Sequence, residues 1–178
     1  MQIRMLTVED VEIYQSHCEA HRAESGRDGE IHHGPYPRDE PLPTDFVERT
    51  RARWSKALDE PGWRRAWGVF DGERLVGTGD VTGSDLASGR HRVNLGMGLQ
   101  RSHRGRGGGR ALLGHIIAWC RAEPTVAWLD LGVFGGNDRA HELYRRAGFT
   151  ELGCIADRFR VDGLSIDDTL MTLDVSGP

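Results

Sequence analysis

The chain has 178 residues, enough for one domain with a sizeable core, whereas two domains would each be small. Composition is that of a globular protein, with 38% hydrophobic and 28% charged residues. The net charge of −4, from 23 basic and 27 acidic residues, leaves no basic excess to hold nucleic acid across a broad face, and it suits a cationic acceptor such as an amine without requiring one. Lys56 is the only lysine, so nearly all the positive charge sits on arginine, which suits bidentate phosphate contacts. Cys18, Cys120 and Cys154 are odd in number and widely spaced, which argues against a disulfide framework. No apolar run approaches the roughly 18 residues of a membrane span, and Met1-Gln2-Ile3-Arg4-Met5 lacks a long apolar leader segment. A cytoplasmic protein without a membrane segment is expected.

In chain order, Ile3 to Leu6 is a short strand candidate. Thr7 then caps a helix, with Asp10 completing a partial capping box, and the helix runs to about Ala23. Residues 24–43 form a long polar loop rich in Gly and Pro, and loops of that length in compact domains often carry function. A second helix starts at Thr44, carries Phe46, Val47, Trp54 and Leu58, and stops before Pro61-Gly62. Ala66 to Phe70 and Leu75 to Val81 flank the turn Asp71-Gly72 and read as a hairpin. From Arg90 to Leu99 the residues alternate, with Val93, Leu95, Met97 and Leu99 on one face and Asn94, Gly96 and Gly98 on the other, which is strand periodicity. A glycine-rich segment leads into a helix with Leu112, Leu113, Ile116, Ile117 and Cys120 at helical spacing, ended by Pro124. Val126 to Phe134 is a buried strand candidate. Asn137 opens another helix with Ala140, Leu143, Tyr144 and Ala147 on one face, closed by Gly148. Thr150 to Ile155 and Thr169 to Val175 read as final strands. The strand–helix–strand unit from 90 to 134 predicts a parallel pair.

The segment Arg104-Gly105-Arg106-Gly107-Gly108-Gly109-Arg110 sits between a strand and a helix. The first amides of a helix lack internal partners and carry the positive end of its dipole, and glycines let backbone approach a phosphate. Arg104, Arg106 and Arg110 add charge-assisted contacts. A flexible turn without a ligand is the plain alternative. A nucleotide-triphosphate loop would need Gly-Lys-Ser/Thr, and no lysine is here. A dinucleotide fingerprint would need Gly-x-Gly-x-x-Gly and an acidic residue some 20 positions on; Asp130 falls inside the next strand, which weakens that reading.

Arg104-x-x-Gly107-x-Gly109, after an alternating strand and before an amphipathic helix, resembles the acyl-CoA signature of the GCN5-related N-acetyltransferase (GNAT) family. Val133-Phe134-Gly135-Gly136-Asn137-x-x-Ala140-x-x-Leu143-Tyr144-x-x-x-Gly148-Phe149-x-x-x-Gly153 is similar to the family's second signature. Gly163-x-x-x-Asp167-x-x-x-Met171 resembles the C-terminal strand of many small members. The resemblance covers the whole order of elements and is strongest from 90 to 155.

The resemblance implies an α/β fold: one domain over 1–178, a mixed central sheet of about six or seven strands, and helices on both faces. It implies acetyl-CoA as co-substrate and no metal. The strand end at Met97, Gly98 and Leu99 would pair with the pantetheine arm, the amides from Gly105 to Arg110 (Gly105, Arg106, Gly107, Gly108, Gly109, Arg110) would meet the pyrophosphate, and Asn137 would bond the pantetheine region. Asn137 is also an apt helix N-cap. Tyr144 would be the general acid that protonates the leaving thiolate, since its reference pKa of about 10 lies close to that of an alkyl thiol. Its other reading is a core aromatic. The general base stays open: no carboxylate lies between Arg90 and Leu99, and Asp80, His91 and Asp130 each read more readily as solvated or structural. His17, Cys18 and His21, with His32-His33, match no standard zinc spacing and read as a solvated helix face. Glu30, Tyr36, Asp39 and Glu40 lie in the long loop that would shape the acceptor pocket, and their acidity is consistent with a cationic amine as well as with a plain solvated loop.

The expected reaction is acetyl transfer to the primary amine of a small molecule, such as an amino acid, polyamine or antibiotic, by direct attack in a ternary complex. Gly107-Gly108-Gly109-Arg110-Ala111-Leu112 departs from the Gly-x-Gly-x-Ala-x-Glu-Ala of members that modify ribosomal proteins, so a protein N-terminus or lysine ranks second. A non-catalytic acyl-CoA sensor would need no Tyr144. The resemblance is also compatible with a homodimer.

Overall fold

Gly72-Glu73 makes the first hairpin turn of the chain. Gly72 takes φ 59°, which a hairpin turn of this kind needs, and strands β2 (Arg64–Asp71) and β3 (Arg74–Gly83) pair antiparallel on either side. The computed structural model describes residues 1–177. Strand β1 (Gln2–Met5) joins the outer edge of β2, and β4 (Arg92–Leu99) joins the other edge of β3. Then come β5 (Trp128–Phe134), β6 (Thr150–Val161) and β7 (Leu164–Asp174), which complete a seven-stranded mixed sheet in the order β1-β2-β3-β4-β5-β7-β6.

Helices cover both faces. Helix α1 (Val11–Glu24) and helix α2 (Phe46–Ser55) close over a cluster of Leu6, Val11, Tyr14, Trp54, Ala66, Phe70 and Leu75. Helix α3 (Gly108–Ala122) and helix α4 (Asp138–Arg146) pack with the larger core around Trp67, Val81, Leu112, Ile116, Leu129 and Met171. Gly79 lets α3 pack closely, because a Cβ there would come within 2.7 Å of Ile116 Cδ1 and force that side chain to shift. Among the described residues no helix is long and apolar enough to cross a membrane.

The strand pair predicted to be parallel is parallel, but only briefly. Registers run Arg92↔Trp128, Val93↔Leu129 and Asn94↔Asp130, and there the pairing ends. Beyond Asn94, β4 stays with β3 as far as Leu99, and β5 stays with β7 as far as Phe134. Each strand follows its own antiparallel partner, and the sheet opens into a wedge between them.

Two element assignments need correction. Leu58 lies beyond α2, which ends at Ser55 with an extended Lys56, although Leu58 still packs on the larger core. The last two strands are much longer than their apolar segments suggest and form a hairpin around Asp162-Gly163, both at positive φ. β6 is the sheet edge and is almost entirely exposed, so no alternation marks its outer half. Register shifts between Glu151 and Gly153, and between Ile155 and Phe159, interrupt the pairing. In the second, Asp157 takes φ 52° and donates its amide to Asp167 Oδ1 at 2.8 Å.

Candidate active site

The mouth of the wedge opens into a cleft of about 1240 Å³. Met97, Gly98 and Leu99 form one wall, and Asn137, Leu143 and Tyr144 lie on another. Gly105, Gly107, Gly109 and Arg110 line the end where α3 begins. Gly105 (φ 80°) and Gly107 (φ 84°) adopt the left-handed conformation that glycine takes without strain, and this turn leads into α3, whose Gly109 and Arg110 line the cleft. Ala111 N–H donates to Gly107 O at 3.0 Å, so the amides of Gly108, Gly109 and Arg110 precede the first full helical turn.

Ten of the twelve residues expected at the site therefore share one cleft. Arg106 is exposed and Gly108 is buried beneath Leu99 and Met1; neither lines it. Arg104 lines the cleft, but its guanidinium is already engaged. Nε donates to Leu99 O at 2.9 Å, Nη1 donates to Glu30, and Nη2 reaches Glu24 Oε2 at 3.4 Å. Arg104 thus ties the long loop to the end of β4. Arg110, Arg121 and Arg139 also line the cleft, and none has an ion-pair partner among the described residues. Arg121 and Arg139 escaped the sequence reading because they stand outside the glycine segment.

Asn137 does cap α4: its Oδ1 accepts from Ala140 N–H at 3.2 Å, which leaves the amide NH₂ for another partner. Tyr144 is 7% exposed, packs at 5.6 Å on the ring of Phe149, and faces the cleft. Burial pushes its phenol up to about 12. It is both a core aromatic and a cleft residue.

The histidines of α1 do not form a solvated face. His17 is buried, and the rings of His17, His21 and His33 stack in a column, 6.0 Å and 4.8 Å apart. His21 lies against Gly98, where a Cβ would sit 2.7 Å from the ring. Polarity alone misled here; the positions 14, 18 and 21 follow the inward face of the helix begun by Val11. Among the described residues no group of three or more His, Cys, Asp or Glu is arranged to hold a metal ion. Of the residues weighed as a base, Asp80 binds Arg64 with both oxygens at 2.7 and 2.6 Å, Asp130 binds Arg92 likewise, and His91 is exposed.

The column has a stability signature. Burial, then the His33 and His17 imidazoles and the Arg104 guanidinium, push His21 down to about 3, and burial lowers His17 and His33 too. These rings are neutral in the fold but take a proton near pH 6.5 once unfolded. The unfolded chain then binds more protons, so stability is complete above about pH 6.5 and falls as pH drops toward 3. By pH 5 His21 alone would cost up to about 2 kcal/mol. The Tm of the wild type should fall between pH 7 and 5, above the carboxylate range, and His21→Phe should flatten that decline; a wild-type Tm constant over this interval would contradict the neutral column.

The acetyltransferase (GNAT) family profile matches residues 17–149. The chain belongs to this family. It is a GNAT acetyltransferase, and the wedge, glycine turn and α4 all fall within the matched span or at its border. Among curated proteins none matches the chain in sequence. Solved GNAT-fold structures superpose over nearly the whole length. A GNAT-family acetyltransferase from Streptococcus pneumoniae is 20% identical with a TM-score of 0.81, covering 97% of this chain and 98% of its own. The yncA protein of Salmonella typhimurium, solved with its cofactor acetyl-CoA, is 18% identical with a TM-score of 0.78, over 99% and 95%. A ribosomal-protein-alanine N-acetyltransferase from Brucella melitensis is 18% identical with a TM-score of 0.79, over 98% and 99%.

Proposed function

We propose that this GNAT acetyltransferase moves an acetyl group from acetyl-CoA to the primary amine of a small molecule, by direct attack with both substrates bound. The observation that carries the reading is the meeting, on one cleft, of the parted β4–β5 edge, the free amides of α3 and the Tyr144 ring. Acetyl-CoA would bring the acetyl group activated as a thioester. The β4 end at Met97, Gly98 and Leu99 offers main-chain groups to the pantetheine arm. The amides of Gly109 and Arg110 suit the pyrophosphate, with Arg110 and Arg139 supplying free positive charge. The Asn137 amide NH₂ is available to the pantetheine region.

Tyr144 holds its proton on Oη far above neutral pH, so the donor is present wherever the enzyme works. The same apolar surroundings raise the basicity of a thiolate formed beside it, which preserves the match between the two. No cysteine lines the cleft, and Cys18, in a neighbouring cavity, is kept a thiol by burial, at about 11. Those facts favour direct attack over an acetyl-enzyme.

CoA or acetyl-CoA at about 100 times Kd should stabilise the fold by about 2.7 kcal/mol, which for a chain of this size is a Tm rise of roughly 5–10 °C. NAD and ATP should raise it much less. Stabilisation by NAD and not by CoA would refute the donor assignment, and thiol release from acetyl-CoA with a panel of amines reads the activity directly.

A further inference from the structure

Beside the main cleft lies a second cavity of about 230 Å³, just below the ~300 Å³ lower end of small-molecule pockets. Tyr14, Cys18 and Arg22, one turn apart on α1, form its floor; Phe46 of α2 and Tyr36 of the long loop supply aromatic walls. His21 and His33 line both cavities, so the two adjoin, and an acceptor seated in the smaller one lies next to the main cleft.

The charge of this cavity is the opposite of what the loop's composition suggests. No Asp or Glu lines it. The loop acids are engaged by other groups: Asp39 pairs with Arg27, and Glu30 pairs with Arg104 and Arg101 and lies 3.2 Å from Nε2 of His33, behind the cavity lining. Glu40 contributes only its main-chain carbonyl. Two arginines do line the cavity. Arg64 is neutralised by its two-pronged bond to Asp80. Arg22 has no carboxylate partner among the described residues. Its Nη1 donates to the carbonyls of Glu40 and Pro41 at 3.3 and 3.1 Å, and its guanidinium lies 4.0 Å from the centre of the Tyr36 ring. Neutral carbonyls and a ring face hold the fork in place and leave its charge unmatched.

A polyamine would bring a second ammonium to a wall with one unmatched cation and no carboxylate, and juxtaposed like charges disfavour binding. An amine that carries a carboxylate has the complementary pattern, and a bidentate Arg–carboxylate contact also orients it. We propose that the acceptor is an amino acid, its carboxylate held by Arg22 and its side chain against Tyr14, Tyr36 and Phe46. This rests on the acetyltransferase reading of the adjoining cleft and narrows its substrate class.

The test measures thiol release by the whole protein saturated with acetyl-CoA, using matched pairs: phenylalanine with phenethylamine, leucine with isoamylamine, and spermidine as a polyamine control. The carboxylate member of at least one pair should show kcat/KM about 10- to 100-fold above its decarboxylated partner, and spermidine should be poor. Arg22→Gln should erase that gap, mainly through KM. It should change the amine partner's kcat/KM far less than the amino acid's and leave the Tm rise with CoA unchanged, and Arg22→Lys should restore part of the gap. Equal or better turnover of the decarboxylated amines, a preference for spermidine, or no amino acid turned over by a protein that CoA stabilises would each overturn the proposal while leaving the donor site standing. A protein that CoA does not stabilise would sink the donor site and this inference with it.

Discussion

Replacing Tyr144 by Phe should lower kcat by roughly 10²–10⁴, the range for loss of a general acid, with little change in CoA affinity or stability. The ring stays on Phe149 and in the core, so packing is kept, and only the hydroxyl of this cleft-lining residue is lost. Because the hydroxyl would act as the thiolate leaves, kcat and kcat/KM should fall together. The phenol stands at about 12, so the wild-type rate should show no decline from its ionisation up to about pH 10. Water in the cleft can replace the phenol in part, which puts the low end of the range within expectation. A Tyr144→Phe enzyme at full rate would reduce the residue to packing and remove the main structural argument for a proton donor.

Gly109→Glu should abolish CoA binding, by about 100-fold or more in Kd, and leave the fold as stable as before or more so. Gly109 is the second residue of α3 and lines the cleft, and a Cβ there meets Leu143, Leu99 and Met97 only at ordinary contact distances of 3.7–3.9 Å. Replacing a helical glycine adds stability, and a carboxylate in the first turn suits the dipole. The same carboxylate stands where the pyrophosphate is proposed to lie, and repels it. Opposite signs for stability and affinity are what separates this change from simple unfolding, measured as Tm without ligand and as Kd by titration calorimetry. Unchanged CoA affinity in a folded Gly109→Glu protein would remove the pyrophosphate from the start of α3.

The parts of the site that recur locally in the chain were legible before any coordinates. The alternation from Val93 to Leu99, the glycines before Leu112 and the run from Asn137 to Phe149 are short-range patterns, and each forms the element expected of it. Long-range pairings were not legible. The wedge exists because β4 and β5 each keep an antiparallel partner, a property of sheet order that neither strand carries alone. Arg104 looked like a phosphate ligand by spacing, yet Glu24 and Glu30, more than 70 residues away in sequence, claim its guanidinium. The acids of the long loop fit a cationic acceptor and a solvated loop equally well, because composition records which charges are present and not which arginine each one meets. His17 and His21 were misjudged because a polar side chain on a helix reads as exposed until its neighbours are known.

The wedge also bears on how this enzyme can change over generations. Where β4 runs past Asn94 without β5, roughly half of its N–H and C=O groups face the gap, and every residue type except proline provides the same pair. A ligand gripped by those groups is gripped by something that substitution at Met97 or Leu99 does not rewrite, provided the strand stays straight and its outward volume is kept. Side-chain identity at Met97 and Leu99 can therefore drift within that volume, whereas Gly98, packed against His21, cannot take a side chain, and a proline, or an insertion that let β5 zip up against β4, would remove the grip.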